Sequence, residues 1–402
     1  MNLSAFVAHK HWALFACGFF VLVMLATLWN ILENQKQKQF VVQDRVQKQR
    51  VCQSISPEDT IFVSIASYRD PECHETVFDC LEKSACPLRV HVGVCQQNYE
   101  VDLDVMEGYK RLAKKRGTGN YSEQIRVLRM DAGQARGPTY ARSLIEQKLF
   151  QGERFYLIVD SHMLFTEGWD VQLISMLKQC PSVKSVITMY PADFTRRPSP
   201  KQRRRAQKVQ KPSFLRFKKF HERTGMVEIE GPVFDNMPTT PQPSLFWAGC
   251  CSFSYSNMIQ EVPYDPLLPY VFIGEEISMA ARLYTHGFDL YTPTSMVMFH
   301  RWQRLRPTFW ELFSSTGDVH RHRQSLEEQG YRRLRHLFGL QPLLDTDPPL
   351  GPYGLGKTRS LADFQRFCGV DLLLQTVSKQ SRWGVSPTAS QQELFFKIGS
   401  VQ

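Results

Sequence analysis

The chain has 402 residues, 43% of them apolar or aromatic and 27 of them Phe, which provides for a large core and excludes a disordered protein. Its net charge of +10 suggests nucleic acid at first sight, but twelve Lys/Arg and one acid, Glu222, fall between Arg196 and Arg223, and the remainder sums to about −1. The basicity therefore belongs to one insertion, 196–223, and no nucleic-acid partner is expected. The insertion reads either as a solvated surface loop or as one that attracts an acidic partner or anionic headgroups.

Residues 1–11 form a short tail. Residues 12–32 are uncharged, lie between Lys10 and Glu33, and carry Trp12 and Trp29 near their ends. As a helix they would span about 30 Å, a bilayer's hydrocarbon thickness. No small-residue cleavage site follows, so an uncleaved transmembrane signal-anchor is expected. Lys36, Lys38, Arg45, Lys48 and Arg50 follow the span against Lys10 before it, which by charge alone would leave the main body in the cytosol. Nine cysteines beyond Cys17 and a sequon at Asn120-Tyr121-Ser122 point instead to an oxidising lumen. Nine is odd, so at least one thiol stays unpaired or bridges chains.

Residues 33–59 are polar and read as a stem. Strands are then expected at 61–66, 88–94, 125–130 and 155–159, alternating with helices at 71–85, 102–116 and 139–150. This alternation predicts βαβ units and a mostly parallel sheet of the α/β class. A helix at 170–179 and a strand at 185–190 continue it. After the insertion, 245–255 is apolar, 276–286 is helical, and 291–299 returns as one strand ending at His300. An Arg-rich helix at 322–338, a Pro/Gly segment and a last helix at 360–367 complete the chain. Gly351 to Thr358 spells G-x-x-x-x-G-K-T, but no strand precedes it and no helix starts at Lys357, so a phosphate loop is rejected.

The buried run 155–159 ends in Asp160-Ser161-His162, at the strand end where ligands bind in open α/β sheets. Asp160 and His162 flank one residue and can share a cation; the alternative is a carboxylate capping the next turn. Ser67-Tyr68-Arg69-Asp70 follows the first strand in the same way. There Tyr68 can stack on a planar base and Asp70 can accept from it, or Asp70-Pro71 is simply a turn. Glu275 and Glu276 open a helix, where the dipole favours carboxylates whatever their role. Arg136 and Arg142 precede the Asp160 strand, and Arg301, Arg304 and Arg306 follow His300 as possible anion clamps.

Five motifs, SIASYRDP at 64–71, AGQARGP at 132–138, DSHMLFTEGWD at 160–170, GEEI at 274–277 and FHRW at 299–302, occur in this order. Together they resemble the polypeptide GlcNAc-transferases that modify Ser, Thr or hydroxyproline, and their order is similar to that of the polypeptide GalNAc-transferases. The resemblance runs from about residue 61 to 359. It implies a GT-A glycosyltransferase fold, with a Rossmann-like nucleotide-binding half inside a catalytic domain at 60–320 and a C-terminal extension, 321–402, packed on that domain. It further implies Asp160, His162 and His300 as ligands of a divalent cation, Mn²⁺, since an acid and two imidazoles do not choose the metal themselves. Ser67, Tyr68, Arg69, Asp70, Arg136, Arg142 and Arg304 would contact the UDP-GlcNAc donor, and Glu275 and Glu276 would position the reacting sugar and a polypeptide hydroxyl. The expected setting is a Golgi or ER membrane, type II, with a lumenal catalytic domain. The alternatives are another UDP-sugar or a glycan acceptor, or an inactive lectin-like scaffold.

Overall fold

A strand that is apolar at nearly every position must be covered on both faces of its sheet, because alternate side chains point to opposite sides. The computed structural model, which describes residues 23–33, 35, 48, 50–194, 211–303, 309 and 318–384, has such strands at its centre. The chain divides into two units, Met1–Ile55 and Ser56–Gln402. In the first, 23–33 and 50–54 are helical, and Met24, Leu25, Leu28 and Trp29 are exposed. Among the described residues no helix is long and apolar enough to cross a membrane, and residues 12–22 of the expected span lie outside them.

The second unit opens with β1 (Ile61–Tyr68), α1 (Cys73–Lys83), β2 (Val90–Asn98), α2 (Val105–Arg116), β3 (Ile125–Asp131), α3 (Pro138–Lys148) and β4 (Phe155–Asp160). Local chemistry sets these bounds. The Asp104 carboxylate caps α2 by accepting from the Met106 and Glu107 amides, and Gly117, at φ 64°, ends it in a left-handed turn. From β1, Ile61, Val63 and Ile65 enter one core and Phe62 the other; from β4, Phe155, Leu157 and Val159 part in the same way from Tyr156 and Ile158. β4–β1–β2–β3 are parallel neighbours, as the alternation predicts.

The chain continues through β5 (Met163–Phe165), α4 (Trp169–Gln179), β6 (Ser185–Thr188), β7 (Ala192–Asp193), β8 (Arg216–Phe220), β9 (Val227–Glu230), β10 (Gln242–Pro243) and β11 (Cys251–Tyr255). After α5 (Asn257–Glu261) and α6 (Glu275–Thr285) come β12 (Asp289–Thr292) and β13 (Met298–His300). The large sheet has the order β10-β12-β6-β11-β4-β1-β2-β3 and is mixed, because β11 runs antiparallel to both β4 and β6. A second sheet, β5-β13-β7, stands beside it.

Two expectations are corrected. The strand foreseen at 291–299 is two strands in two sheets, β12 and β13, because Pro293 removes a ladder donor and ends the first. The insertion at 196–223 is not all loop. Residues 195–210 lie outside the described ones, but β8 pairs with β9 and buries Phe217 in the core, while Lys218 and Lys219 face out.

The C-terminal part consists of α7 (Asp318–Leu337), α8 (Leu361–Cys368), β14 (Val370–Asp371), β15 (Thr376–Val377) and α9 (Lys379–Trp383). It belongs to the core: Tyr331, Leu334, Leu337 and Phe364 join the cluster that holds α6, and Arg333 donates to Asp265 at 2.6 Å with both side chains buried. The G-x-x-x-x-G-K-T run lies at the carboxyl end of α6. The Thr358 and Arg359 amides donate to Thr285 O at 3.0 and 3.1 Å, and a Cβ on Gly356 would stand 2.4 Å from Thr285 backbone atoms. The pattern thus caps a helix, and the next helix begins only at Leu361 under a Ser360–Asp363 capping box.

Seven of the cysteines, Cys73, Cys80, Cys95, Cys180, Cys250, Cys251 and Cys368, carry free thiols among the described residues.

Beneath the sheet, the Glu146 carboxylate on α3 accepts from Tyr264 N at 2.9 Å through Oε2, while Oε1 is out of solvent and without a hydrogen-bond partner. Burial pushes this carboxyl up to about 8 against the opposing charges of Arg282 and Arg142. The unfolded chain releases that proton in the ordinary carboxyl range and the folded chain keeps it, so folding binds a proton in between and stability falls as pH rises through that window. Glu146→Gln is expected to flatten the decline of melting temperature between roughly pH 4.5 and pH 8, followed by scanning calorimetry. Parallel declines in the two proteins would refute it.

Candidate active site

The site is assembled where strand ends converge. Ala66 of β1 is paired with Asp160 of β4, so the carboxyl ends of the two strands open side by side. Past Asp160 the chain turns through Ser161 and His162 into β5, and Thr76 of α1 holds that turn. The Thr76 hydroxyl donates to Ser161 O at 2.8 Å and accepts from Met163 N at 2.9 Å. β13 lies antiparallel to β5 with His300 opposite Met163, which returns a residue 140 positions away from Asp160 to within 3.0 Å of it, His300 Nε2 to Asp160 Oδ2. One ligand atom each from Asp160, His162 and His300 lies within 4.8 Å of the others.

These residues fit a divalent cation on their own chemistry. Both imidazoles are buried, and the His162 Nδ1 edge meets the Asp70 carboxylate at 2.7 Å, while its Nε2 is buried with no hydrogen-bond partner. An orphaned ring nitrogen facing a carboxylate and a second imidazole suits a ligand set and is costly otherwise.

Arg142 organises the charges. Its guanidinium donates to Asp160 Oδ1 at 3.0 Å, to Gly249 O at 2.8 Å and to Glu275 Oε1. Burial would lower its pKa, but Glu275, Tyr264 and Asp160 raise it well above the usual value. Burial would likewise raise Asp160, yet the His300 hydrogen bond and the charges of His300, Arg142 and His162 hold it far below the carboxylate range. For Asp70, too, burial is outweighed by His162, Ser161 and the Glu72 amide, and its carboxyl is lowered. A Cβ on Gly249 would stand 2.8 Å from Arg142 Nη1 and would push the guanidinium from its place.

Beside this corner lies a cavity of about 340 Å³ lined by Tyr68, Arg142, Asp160, His162, Glu275, Glu276, Trp302 and Phe309, among others. At one end Tyr68 meets Phe309 edge to face at 5.2 Å, and Phe309 stacks on Tyr270 at 5.6 Å. Burial, with Tyr99 next, pushes the Tyr68 hydroxyl up to about 12. At the other end Glu276 accepts from Tyr190 OH at 2.6 Å and from the Gly249 amide at 3.1 Å, and burial pushes its carboxyl up to about 7. Trp302, 46% exposed, stands 4.1 Å from the His300 ring and 5.3 Å from Tyr190.

The structure brings together Tyr68, Arg142, Asp160, His162, Glu275, Glu276 and His300 as expected. It separates the rest. Ser67 is buried with its carbonyl taken by Gln97, and Arg69, at φ 48°, pairs with Asp102 at 2.7 Å. Arg136 is exposed and lies over Tyr140 at 5.2 Å, and Arg301 is drawn to Glu72 at 2.6 Å. Asp70 turns to His162 and Ser161 and is absent from the cavity wall. Arg304 and Arg306 lie outside the described residues. Sequence reasoning missed Tyr190, Gly249 and Tyr264, none of which sits in a recognisable spacing.

The sequence profile of the Glycosyltransferase (GlcNAc) family matches residues 60–115 and 105–373. No curated protein sequence matches the chain. Among solved structures it is similar to a crystal structure of GalNAc-T7 with UDP, GalNAc and Mn²⁺, at 15% identity and a TM-score of 0.47, over 77% of this chain and 54% of that one. It is also similar to the mannosyltransferase PcManGT from Pyrobaculum calidifontis in complex with GDP-Man and Mn²⁺, at 11% identity and a TM-score of 0.38, over 70% and 71%. The chain spans about half the length of the GalNAc-T7 structure.

Removing the guanidinium strands the buried Glu275 carboxylate and the partly buried Asp160. Arg142→Met is expected to destabilise the fold by about 3–5 kcal/mol, read as a lowered midpoint in urea at neutral pH. A midpoint unchanged from the wild type would show that Asp160 and Glu275 do not depend on it.

Proposed function

Because the chain belongs to the glycosyltransferase (GlcNAc) family, we propose that it is a divalent-metal-dependent, retaining transferase that moves GlcNAc from UDP-GlcNAc to a Ser, Thr or hydroxyproline hydroxyl of a polypeptide. The sheet with its paired strand ends is, on this reading, a GT-A nucleotide-binding half. The observation that carries the proposal is the Asp160–His162–His300 cluster on the wall of an aromatic-ended cavity, with His162 Nε2 buried and unpartnered.

Asp160, His162 and His300 would hold Mn²⁺, which when bound supplies positive charge against the charge that grows on a leaving diphosphate. The protein's residues do the rest. The Tyr68 face is of a size and polarity for a planar base. His300 and then Arg142 keep Asp160 ionised at neutral pH, so the cluster keeps its negative ligand. Glu276, fixed from two sides by Tyr190 and Gly249, orients the sugar or the incoming hydroxyl. Glu275 is occupied by Arg142 and acts through it. In a retaining transfer without a covalent intermediate, the acceptor oxygen bonds to the anomeric carbon as the bond to diphosphate breaks. The hydroxyl proton passes to a diphosphate oxygen, so no strong protein base is needed.

The protein is expected to transfer or hydrolyse GlcNAc from UDP-GlcNAc with added Mn²⁺ and to lose this with EDTA. Asp160→Ala should lower the rate at least a hundredfold, on the scale of removing one electrostatic contact to the transition state. Full activity of that variant would sink the metal assignment. A panel of UDP-sugars against peptide and saccharide acceptors separates the proposed donor and acceptor from another sugar or a glycan.

We also propose attachment to a Golgi or ER membrane through residues 12–32, with the main unit in the lumen, supported by that uncharged run and by the exposed sequon at Asn120. Treatment of the cell-expressed protein with an N-glycosidase is expected to increase its gel mobility, and Asn120→Gln to abolish the shift. A wild-type protein with no shift would count against a lumenal main unit.

A further inference from the structure

We propose that Asp70 is a positioning residue that fixes the tautomer and aim of His162 for a cation, and is not a nucleotide contact. This rests on the metal reading of the Asp160–His162–His300 cluster. Every polar partner of Asp70 supports the role. Its Oδ2 faces His162 Nδ1 at 2.7 Å and accepts from Ser161 Oγ at 2.6 Å, while Oδ1 accepts from Glu72 N at 2.8 Å. A carboxylate at that distance accepts from Nδ1–H and so keeps the imidazole proton on Nδ1, which leaves the Nε2 lone pair bare. That nitrogen is the buried one without a partner, on the side of Asp160 and His300. Only 10% of the Asp70 side chain is exposed, and it does not line the cavity.

The peptide carrying the ring is held as firmly. Thr76, 1% exposed, donates to Ser161 O and accepts from Met163 N, so its hydroxyl clasps the backbone on both sides of His162. Asp70 follows β1 and Thr76 belongs to α1, so the turn between these elements sets the direction of a ligand on the β4–β5 turn. Outer carboxylates of this kind raise the basicity of a ligating imidazole, and their loss typically costs 10–100-fold in metal affinity.

The test titrates the full chain with Mn²⁺ alone and follows free Mn²⁺ by electron paramagnetic resonance. Asp70→Asn, nearly isosteric, is expected to bind Mn²⁺ roughly 10–100-fold more weakly than the wild type, and to bind UDP with unchanged affinity once Mn²⁺ is saturating. Equal Mn²⁺ affinity in the two proteins, with weaker UDP binding in the variant, would overturn the inference and return Asp70 to the nucleotide. A wild type that binds no Mn²⁺ would overturn both this inference and the metal reading beneath it. If Asp70→Asn does not fold, Thr76→Val should weaken Mn²⁺ binding and Thr76→Ser restore it; equal affinity across the Thr76 pair also overturns the clasp.

Discussion

Arg142 carries a positive charge into a place where burial makes that charge costly, and the surrounding structure is arranged to keep it there. Asp160, Glu275 and the Gly249 carbonyl take its hydrogen bonds. Each of these stands on a different part of the fold: the end of β4, the start of α6 and the approach to β11. The guanidinium therefore ties the central strand to the helix and the antiparallel strand that close the cavity. A charge buried in this way is held only while all its partners are present.

The same economy of side chains recurs one layer out. Asp70 and Thr76 take no part in the cavity wall, yet they determine where His162 points. Glu276 is fixed by a phenol and an amide before any substrate arrives. The cavity thus joins an aromatic end, a charged corner and a carboxyl held near neutral pH by burial.

The fold was legible in sequence where local periodicity speaks for itself. The alternation of apolar strands and capped helices from 61 to 160 is a property of short windows, and the sheet there is parallel as expected. Periodicity failed where long-range pairing decides. The run 291–299 reads as one strand because it closes on the apolar stretch Met296–Phe299, but Pro293 and two different partner strands divide it between two sheets. Residues 216–220 read as part of a charged insertion because lysines dominate, while Phe217 pairs them into a ribbon on the core. The phosphate-loop letters lack the strand and the helix that a phosphate loop needs, and the fold uses them to close the end of α6.

At the site, the sequence by itself determined which chemistry was available: an acid and an imidazole at a strand end, two acids opening a helix, a histidine after an apolar run. These follow from strand and helix geometry over a few residues. Only the tertiary structure decided how they combine. β5 and β13 had to pair before His300 could face Asp160, and the turn after β1 had to fold against β4 before Asp70 could leave the expected nucleotide for His162. Arg69 and Arg301 went to carboxylates that no spacing announces. The physical reason is the same in each case. A charged side chain takes the partner that burial and strand pairing bring within about 3 Å, and that distance is a property of the folded chain.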